Sequence, residues 1–375
     1  MSSFLINASN LKAGGGLQVA DSICRQLNRF PQHHFVCVLS TKLSGLKDQL
    51  DKINNVEVVT YDIQNGFLIL TLGRDAFLDA LVSEFHVDAV LTIFGPSRWR
   101  PQVPHLCGFA RAQLLLTDSP YYKMIGWKER LRYKVWKWGF RRSSKLFYTE
   151  NPYISEKLPH LLGYEIKVYT VTNYYNQVFD EQDKWGHSYD LTPFDGITLL
   201  AIGNTGAHKN LSIAYDIVKT FQKVYPETNI RFVLTVTEKT FLDMLHSEYD
   251  INLIREHFVF LGTVDVDECP HLYEQADIMF MPTLMECFTA TYPEAMRMEV
   301  PIVTTDLEFA RGLCGDAACY YSAIDAKAAA EAIYKVATDK VYAKQLVENG
   351  KKQLIKYDNY EQRTEKLINI LEEIV

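Results

Sequence analysis

The sequence predicts an α/β protein of two doubly wound domains, each a parallel sheet covered by helices. Three observations predict it. Short apolar runs alternate with stretches whose apolar residues recur at helical spacing, which implies right-handed crossovers. That pattern is completed twice, on either side of a polar stretch that follows Val171-Thr-Asn-Tyr-Tyr-Asn. The length, 375 residues, exceeds one ordinary core and suits two.

The N-terminal domain is expected over 1–172 and the C-terminal domain over 173–359, with a last helix, 360–375, crossing back to the first. In the first domain Phe4–Ala8 reads as the opening strand. A helix follows over 16–29, with Leu17, Ala20, Ile23, Cys24 and Leu27 on one face. Further strands are expected at Phe35–Leu39, Val56–Tyr61, Ala89–Ile93, Gln113–Leu116 and Lys145–Tyr148, with helices around 74–85 and 124–142. In the second domain strands are expected at Ile197–Ile202, Ile230–Val236, Phe258–Leu261, Ile278–Met281, Pro301–Thr304 and Ala317–Tyr321. Helices fill Asn210–Val224, 238–247, 268–275, the segment from Tyr292, and 325–338. Asn210 suits the N-cap of the first of these.

Composition is that of a soluble globular chain, 47% hydrophobic and 23% charged. A net charge of -7 argues against a general nucleic-acid binder. Seven scattered cysteines without zinc-like spacing read as reduced thiols of a cytoplasmic protein. No secretory h-region is visible, and no stretch approaches the ~20 apolar residues of a membrane span.

Three loops could carry chemistry. Lys12-Ala13-Gly14-Gly15-Gly16-Leu17 follows the first strand, where glycines let backbone N–H groups approach an anion. Gly203-Asn204-Thr205-Gly206-Ala207-His208-Lys209 follows the first strand of the second domain, and Lys209 there could neutralise a diphosphate. Glu286-Cys287-Phe288-Thr289-Ala290-Thr291-Tyr292-Pro293-Glu294 follows the buried run Ile278–Met281 and opens a helix. Helix-start acids favoured by the dipole account for Glu294. They account less well for Glu286, a carboxylate directly after a buried strand, which needs partners such as sugar hydroxyls.

Taken together these loops resemble a known family. Glu286-x7-Glu294 is similar to the E-x7-E motif of the retaining glycosyltransferases of family 4, which have the GT-B fold: two Rossmann-like domains facing each other across a cleft. Gly14–Gly16 resembles that family's glycine loop, and Asn173 its interdomain Asn. Phe260-Leu-Gly-Thr-Val with Leu272-Tyr273-x3-Asp277, and Glu294-Ala-Met with Val300-Pro-Ile-Val-Thr, resemble further stretches of it. The resemblance implies a sugar transfer from a nucleotide-sugar donor, UDP-linked, to a glycan or lipid-linked acceptor in cell-surface polysaccharide synthesis, without a metal or other cofactor. It implies that Lys209 stabilises the leaving diphosphate and that Glu286 contacts the donor sugar. Glu294 would hold the ribose, while Gly15, Gly16, Asn204 and the backbone of Cys287, Phe288 and Thr289 line the donor.

The chain departs from the pattern at several positions. Many relatives carry Arg at the position of Asn204, Gly-Phe-Gly where Cys287-Phe288-Thr289 stands, and Gly where Glu299 stands. A His often follows the fifth strand of the first domain; here the segment is Leu116-Thr-Asp118-Ser-Pro120, making Asp118 an acceptor-side candidate. Asp265-Val-Asp267 matches a D-x-D metal motif formally but reads as a helix cap. These departures keep two alternatives open: a nucleotide-sugar hydrolase or epimerase of the same fold, and a non-catalytic partner of another transferase.

Residues 123–145 hold five Lys, four Arg and one Glu, a local charge of +8, and three of the five tryptophans. Trp127, Leu131, Val135 and Trp138 share one helical stripe, and Arg130, Lys134, Lys137 and Arg141 a neighbouring one. This is the composition of a helix lying on an anionic membrane surface, placing the protein peripherally at the inner membrane face. The competing reading packs the apolar stripe on the domain core and leaves a solvated basic face.

Overall fold

A computed structural model describes residues 1–12, 15–63, 69, 72–203, 205–245 and 248–375. Gly14 and Asn204 lie outside the described residues, as does the end of the helix expected over 238–247. The chain divides into two compact units. The first comprises Met1–Leu115, Ile125–Asn173 and Asp358–Val375; the second comprises Leu116–Met124 and Tyr174–Tyr357.

The first unit holds β1 (Ser3–Ala8), β2 (His34–Leu39), β3 (Val56–Thr60), β4 (Ala89–Thr92), β5 (His105–Gly108), β6 (Leu146–Thr149) and β7 (Lys167–Thr170). They form one parallel sheet in the order β3-β2-β1-β4-β5-β6-β7. Every residue of β1 is buried, as a strand covered on both faces requires. The C-terminal helix Tyr360–Ile374 lays Leu367, Ile368, Ile370 and Leu371 into the core beneath this sheet. It opens with a capping box between Asn359 and Gln362.

The second unit holds β8 (Ile197–Ala201), β9 (Ile230–Leu234), β10 (Phe258–Phe260), β11 (Ile278–Met281), β12 (Ile302–Thr305) and β13 (Ala318–Tyr321). Their order is β10-β9-β8-β11-β12-β13, again all parallel. In each sheet the strand order reverses once, between β1 and β4 and between β8 and β11. Loops leaving the carboxyl ends of those strand pairs diverge to opposite faces and open a crevice where open α/β sheets take ligands.

Two expectations are corrected, and the competing reading of the basic helix is excluded. Gln113–Leu116 is no strand: Ala112–Leu114 forms a 3-10 turn, and the fifth strand is β5. The apolar run Leu114–Leu116 is short and follows β5 too closely for a crossover. Asn210 is not an N-cap. It ends a 3-10 turn in the left-handed region at φ 52, and the helix begins at Ile213 after Ser212. The basic helix, Trp127–Ser143, buries Tyr133, Phe140 and Ser143 rather than the stripe of Trp127, Leu131, Val135 and Trp138, which is exposed.

The glutamate that stands where relatives carry Gly has a backbone explanation. Glu299 lies at φ 58, a conformation glycine adopts freely, and its carboxylate meets the Lys351 ammonium at 2.9 Å.

Candidate functional site

The site is built from the two loops at the reversal point of the second sheet. After β8 the chain passes Gly203, makes the 3-10 turn Ala207–Lys209 and reverses through left-handed Asn210. This turn brings Lys209 back over the strand ends. After β11 the chain runs through Pro282-Thr-Leu-Met to Glu286. Lys209 Nζ lies 2.5 Å from Glu286 Oε1, with the two side chains only 12% and 15% exposed. A pair so desolvated is held by its own attraction and by its neighbours.

The neighbours are polar main chain and one ring. Leu284 N–H donates to the His208 carbonyl at 2.7 Å, and the Thr283 hydroxyl donates to the same oxygen at 3.3 Å. The Thr305 hydroxyl in turn donates to the Thr283 carbonyl at 2.7 Å, tying the loop to β12. His208 Nε2 stands 3.8 Å from Glu286 Oε1. Burial pushes the imidazole below its usual range, opposed by Glu286 and reinforced by Lys209, so the ring is neutral at pH 7.

Glu294 sits in the first turn of the helix Thr291–Arg297 and is buried. The Tyr273 hydroxyl donates to its Oε2 at 3.0 Å. Burial drives the carboxyl up to about 7, against the pull of that hydrogen bond and of Lys209. A carboxyl in this state must give up its proton before both of its oxygens can accept hydrogen bonds. Between the two glutamates, Cys287 and Thr289 are buried, and Phe288 meets the Tyr357 ring edge-on at 6.1 Å. The Thr289 hydroxyl donates to Thr291 Oγ1 at 3.1 Å. Among the described residues, the N–H groups of Phe288 and Thr289 donate to no backbone carbonyl.

Sequence reasoning missed three participants. Ser119 donates its hydroxyl to the Leu284 carbonyl at 2.6 Å, and the Tyr121 ring stands edge-on to His208 at 5.8 Å. Leu116–Met124 thus packs on the loops that follow β8 and β11. Tyr273 is the third; its role shows only in the fold. Asp118 in the same segment is exposed and touches neither Lys209 nor Glu286. Asp265 and Asp267 precede the helix Cys269–Glu274 but do not cap it as expected: the N-cap is Glu268, without a side-chain cap bond, and its carboxylate accepts from the Asp265 N–H at 3.1 Å. Among the described residues no three His, Cys, Asp or Glu side chains converge as a metal site.

The corresponding point of the first sheet, between β1 and β4, is furnished differently. Asn10 Nδ2 donates to the Phe94 carbonyl at 2.7 Å, while Asn10 Oδ1 is buried without a partner among the described residues. His105 Nδ1 faces the Ser143 carbonyl at 2.9 Å and must donate, so Nε2 accepts from the Thr92 hydroxyl at 2.8 Å. Burial lowers this histidine to about 4, which keeps the chain of hydrogen bonds neutral. Gly16 packs against Leu11 and Phe94, whereas Gly15 has open space where a side chain would stand.

Residues 191–353 match the family model of glycosyl transferases group 1. The match runs from before β8 nearly to the end of the second helix after β13, Lys340–Leu354, and so contains Lys209, Glu286 and Glu294. No curated protein shows a significant sequence match to the chain. The fold is that of GT-B glycosyltransferase structures. A glycosyltransferase from Rickettsia africae superposes with a TM-score of 0.70 at 16% identity, covering 100% of this chain and 98% of that one. Sucrose-phosphate synthase from Thermosynechococcus elongatus gives 0.69 at 14% identity over 99% and 98%. HepE of Anabaena, solved with UDP and glucose, gives 0.65 at 14% identity over 100% of both chains.

Proposed function

We propose that the chain is a retaining glycosyltransferase that takes a sugar from a UDP-linked donor. The observation that carries this reading is the Lys209–Glu286 pair at the reversal point of the second sheet, eight residues before the buried Glu294. The group 1 match over the same residues and the UDP complex of the Anabaena neighbour support it.

The residues divide the work by charge. A diphosphate arriving between β8 and β11 competes with Glu286 for Lys209. The ammonium turns to the phosphate, and Glu286 is released to accept hydrogen bonds from sugar hydroxyls. Glu294, ionised on binding, accepts the ribose diol while Tyr273 holds it in place. As the bond from the anomeric carbon to the diphosphate breaks, its electron pair leaves with the diphosphate. Lys209 and the N–H groups of Phe288 and Thr289 stabilise that charge where it develops. The acceptor hydroxyl bonds to the anomeric carbon on the same face, and its proton passes to the departing phosphate oxygen. No step calls on a metal.

The acceptor is a glycan or a lipid-linked glycan of cell-surface polysaccharide synthesis, reached at the inner face of the membrane. The exposed basic helix Trp127–Ser143 supports that placement. A thermal-shift panel of nucleotide sugars tests the donor half, because a ligand of the folded state raises the midpoint with concentration. UDP-sugars are expected to stabilise the chain, and NMR of the product is expected to show the donor's anomeric configuration. A panel in which no nucleotide sugar raises the midpoint, or an inverted product, would contradict the reading.

A further inference from the structure

We infer that the outward face of the helix Trp127–Ser143 is a docking surface for an anionic lipid bilayer. At 3.6 residues per turn, each residue advances the helix by about 100°. Tyr133 and Phe140 therefore share one face, and both are buried. Phe140 packs on Phe109 at 4.8 Å, and Tyr133 stacks on Trp136, which Arg111 covers at 4.6 Å. This face anchors the helix to the first unit. Roughly half a turn away lie Trp127, Leu131, Val135 and Trp138, which remain 71%, 54%, 59% and 49% exposed. An amphipathic helix normally turns its apolar stripe to the core. Here a second apolar stripe points the other way.

The stripe is bordered by cations on both sides. Arg130, Lys134, Lys137 and Arg141 run along one edge and Lys128 along the other, while Arg132 turns back over the Trp136 ring at 4.9 Å. Glu129, the single acid of the helix, is paired with Arg132. The Arg142 guanidinium lies 4.6 Å over the Trp138 ring, and the Lys128 ammonium lies 5.8 Å from the Trp127 ring. Cation and ring thus share one level, as at a headgroup boundary, where indoles sit at the interface and long basic side chains reach phosphates. Among the described residues no helix is long and apolar enough to cross a membrane, so contact through this face would lie along the surface.

A protein partner fits less well. Four part-exposed side chains fall short of the ~800 Å² per partner that a stable protein interface takes. A bilayer needs no such area, because each cation near an anionic surface adds its own attraction. Docking by this face suits a lipid-linked acceptor, yet it stands on the helix geometry and requires no donor chemistry.

The test is co-sedimentation of the full chain with vesicles of equimolar phosphatidylcholine and phosphatidylglycerol, and with phosphatidylcholine alone. Wild type is expected in the pellet with the anionic vesicles only, with a blue shift of tryptophan emission. The variant Trp127→Ser/Leu131→Ser/Val135→Ser/Trp138→Ser is expected to stay in the supernatant. Arg130→Glu/Lys134→Glu/Lys137→Glu/Arg141→Glu should lower partitioning by roughly two to three orders of magnitude. Lys327→Glu/Lys340→Glu/Lys344→Glu/Lys352→Glu carries the same charge change on the second unit and should bind as wild type does. Wild type remaining in the supernatant overturns the inference, as does equal recovery of wild type and both helix variants. So does a concentration-dependent dimer that the serine variant abolishes, which would make a second copy the occupant. Vesicle binding is read without turnover, so loss of the donor-site reading would leave it intact, and its own failure would leave the donor site standing.

Discussion

The two sheets share one topology and hold opposite chemistry at the point where their strand order reverses. Between β8 and β11 stand a cation, a neutral imidazole and two glutamates, with Lys209 and Glu286 in contact. Between β1 and β4 stand Asn7, Ser9 and Thr92, joined by neutral hydrogen bonds, and Asn10, which donates to the Phe94 carbonyl, while Lys12 of that loop is exposed. The same backbone device therefore suits two kinds of ligand. A nucleoside diphosphate calls for a cation at the phosphates and an acid at the diol. A neutral polyhydroxyl calls for amides and hydroxyls, such as the unpartnered Asn10 Oδ1.

The largest effect that would break this contrast concerns Lys209. Its change to Ala should lower kcat on the order of 10²–10³-fold while the donor KM moves only a few-fold, because the contact strengthens as charge develops. Steady-state kinetics checks this; a change confined to KM would make Lys209 a plain binding group. At the other reversal point, Asn10→Ala should raise the acceptor KM and leave the donor KM alone.

Next comes stability against pH. The Glu294 carboxyl stands at about 7 in the fold, against 4.5 for a free glutamate. The folded chain holds that proton more tightly than the unfolded chain does, so stability falls as pH rises from 4.5 to about 7. Glu294→Gln keeps an acceptor for Tyr273 and removes the buried charge. At pH 8 it should be more stable than wild type by about 3 kcal/mol, and at pH 4 the two should match. Denaturant melts at both pH values decide it; a larger gain at low pH would reverse the sign and refute the burial argument.

Smaller effects sharpen the first sheet. Gly16→Ala should cost about 1 kcal/mol, since the new methyl meets Leu11 at 3.3 Å and Phe94 at 3.5 Å. Gly15→Ala meets nothing within 4 Å and should be neutral or slightly stabilising. Thermal melts that rank the two the other way would remove the packing argument. Glu299→Gly is the smallest. It relieves left-handed backbone worth about 1 kcal/mol and gives up a surface ion pair worth about half that. A slight rise in midpoint is expected.

The fold was legible where burial is simplest. β1, β8 and β11 are buried throughout and, apart from Ser3, Asn7 and Thr198, apolar, because a central parallel strand is covered on both faces. β5 escaped because His105, Cys107 and Gly108 make no apolar run, and β7 because an edge strand is half exposed. The helix Pro152–Leu162 was hidden by its internal Pro159. At the site, Glu286 and Glu294 were legible from their spacing and their place after a buried strand. Tyr273, Ser119 and Tyr121 were not, since their contacts join segments more than 20 residues apart in sequence. Likewise nothing local marked Glu150, buried after β6 and raised to about 7 by desolvation, with Arg363 of the last helix pulling the other way.

Calorimetric titration of UDP at pH 8 into wild type, Glu294→Ala and Asn10→Ala tests the central claim most directly. If the second sheet's reversal point is the nucleotide site, Glu294→Ala weakens UDP roughly 10- to 100-fold, the worth of hydrogen bonds to a charged group, while Asn10→Ala leaves affinity unchanged. Unchanged affinity in Glu294→Ala, or a loss confined to Asn10→Ala, would contradict it.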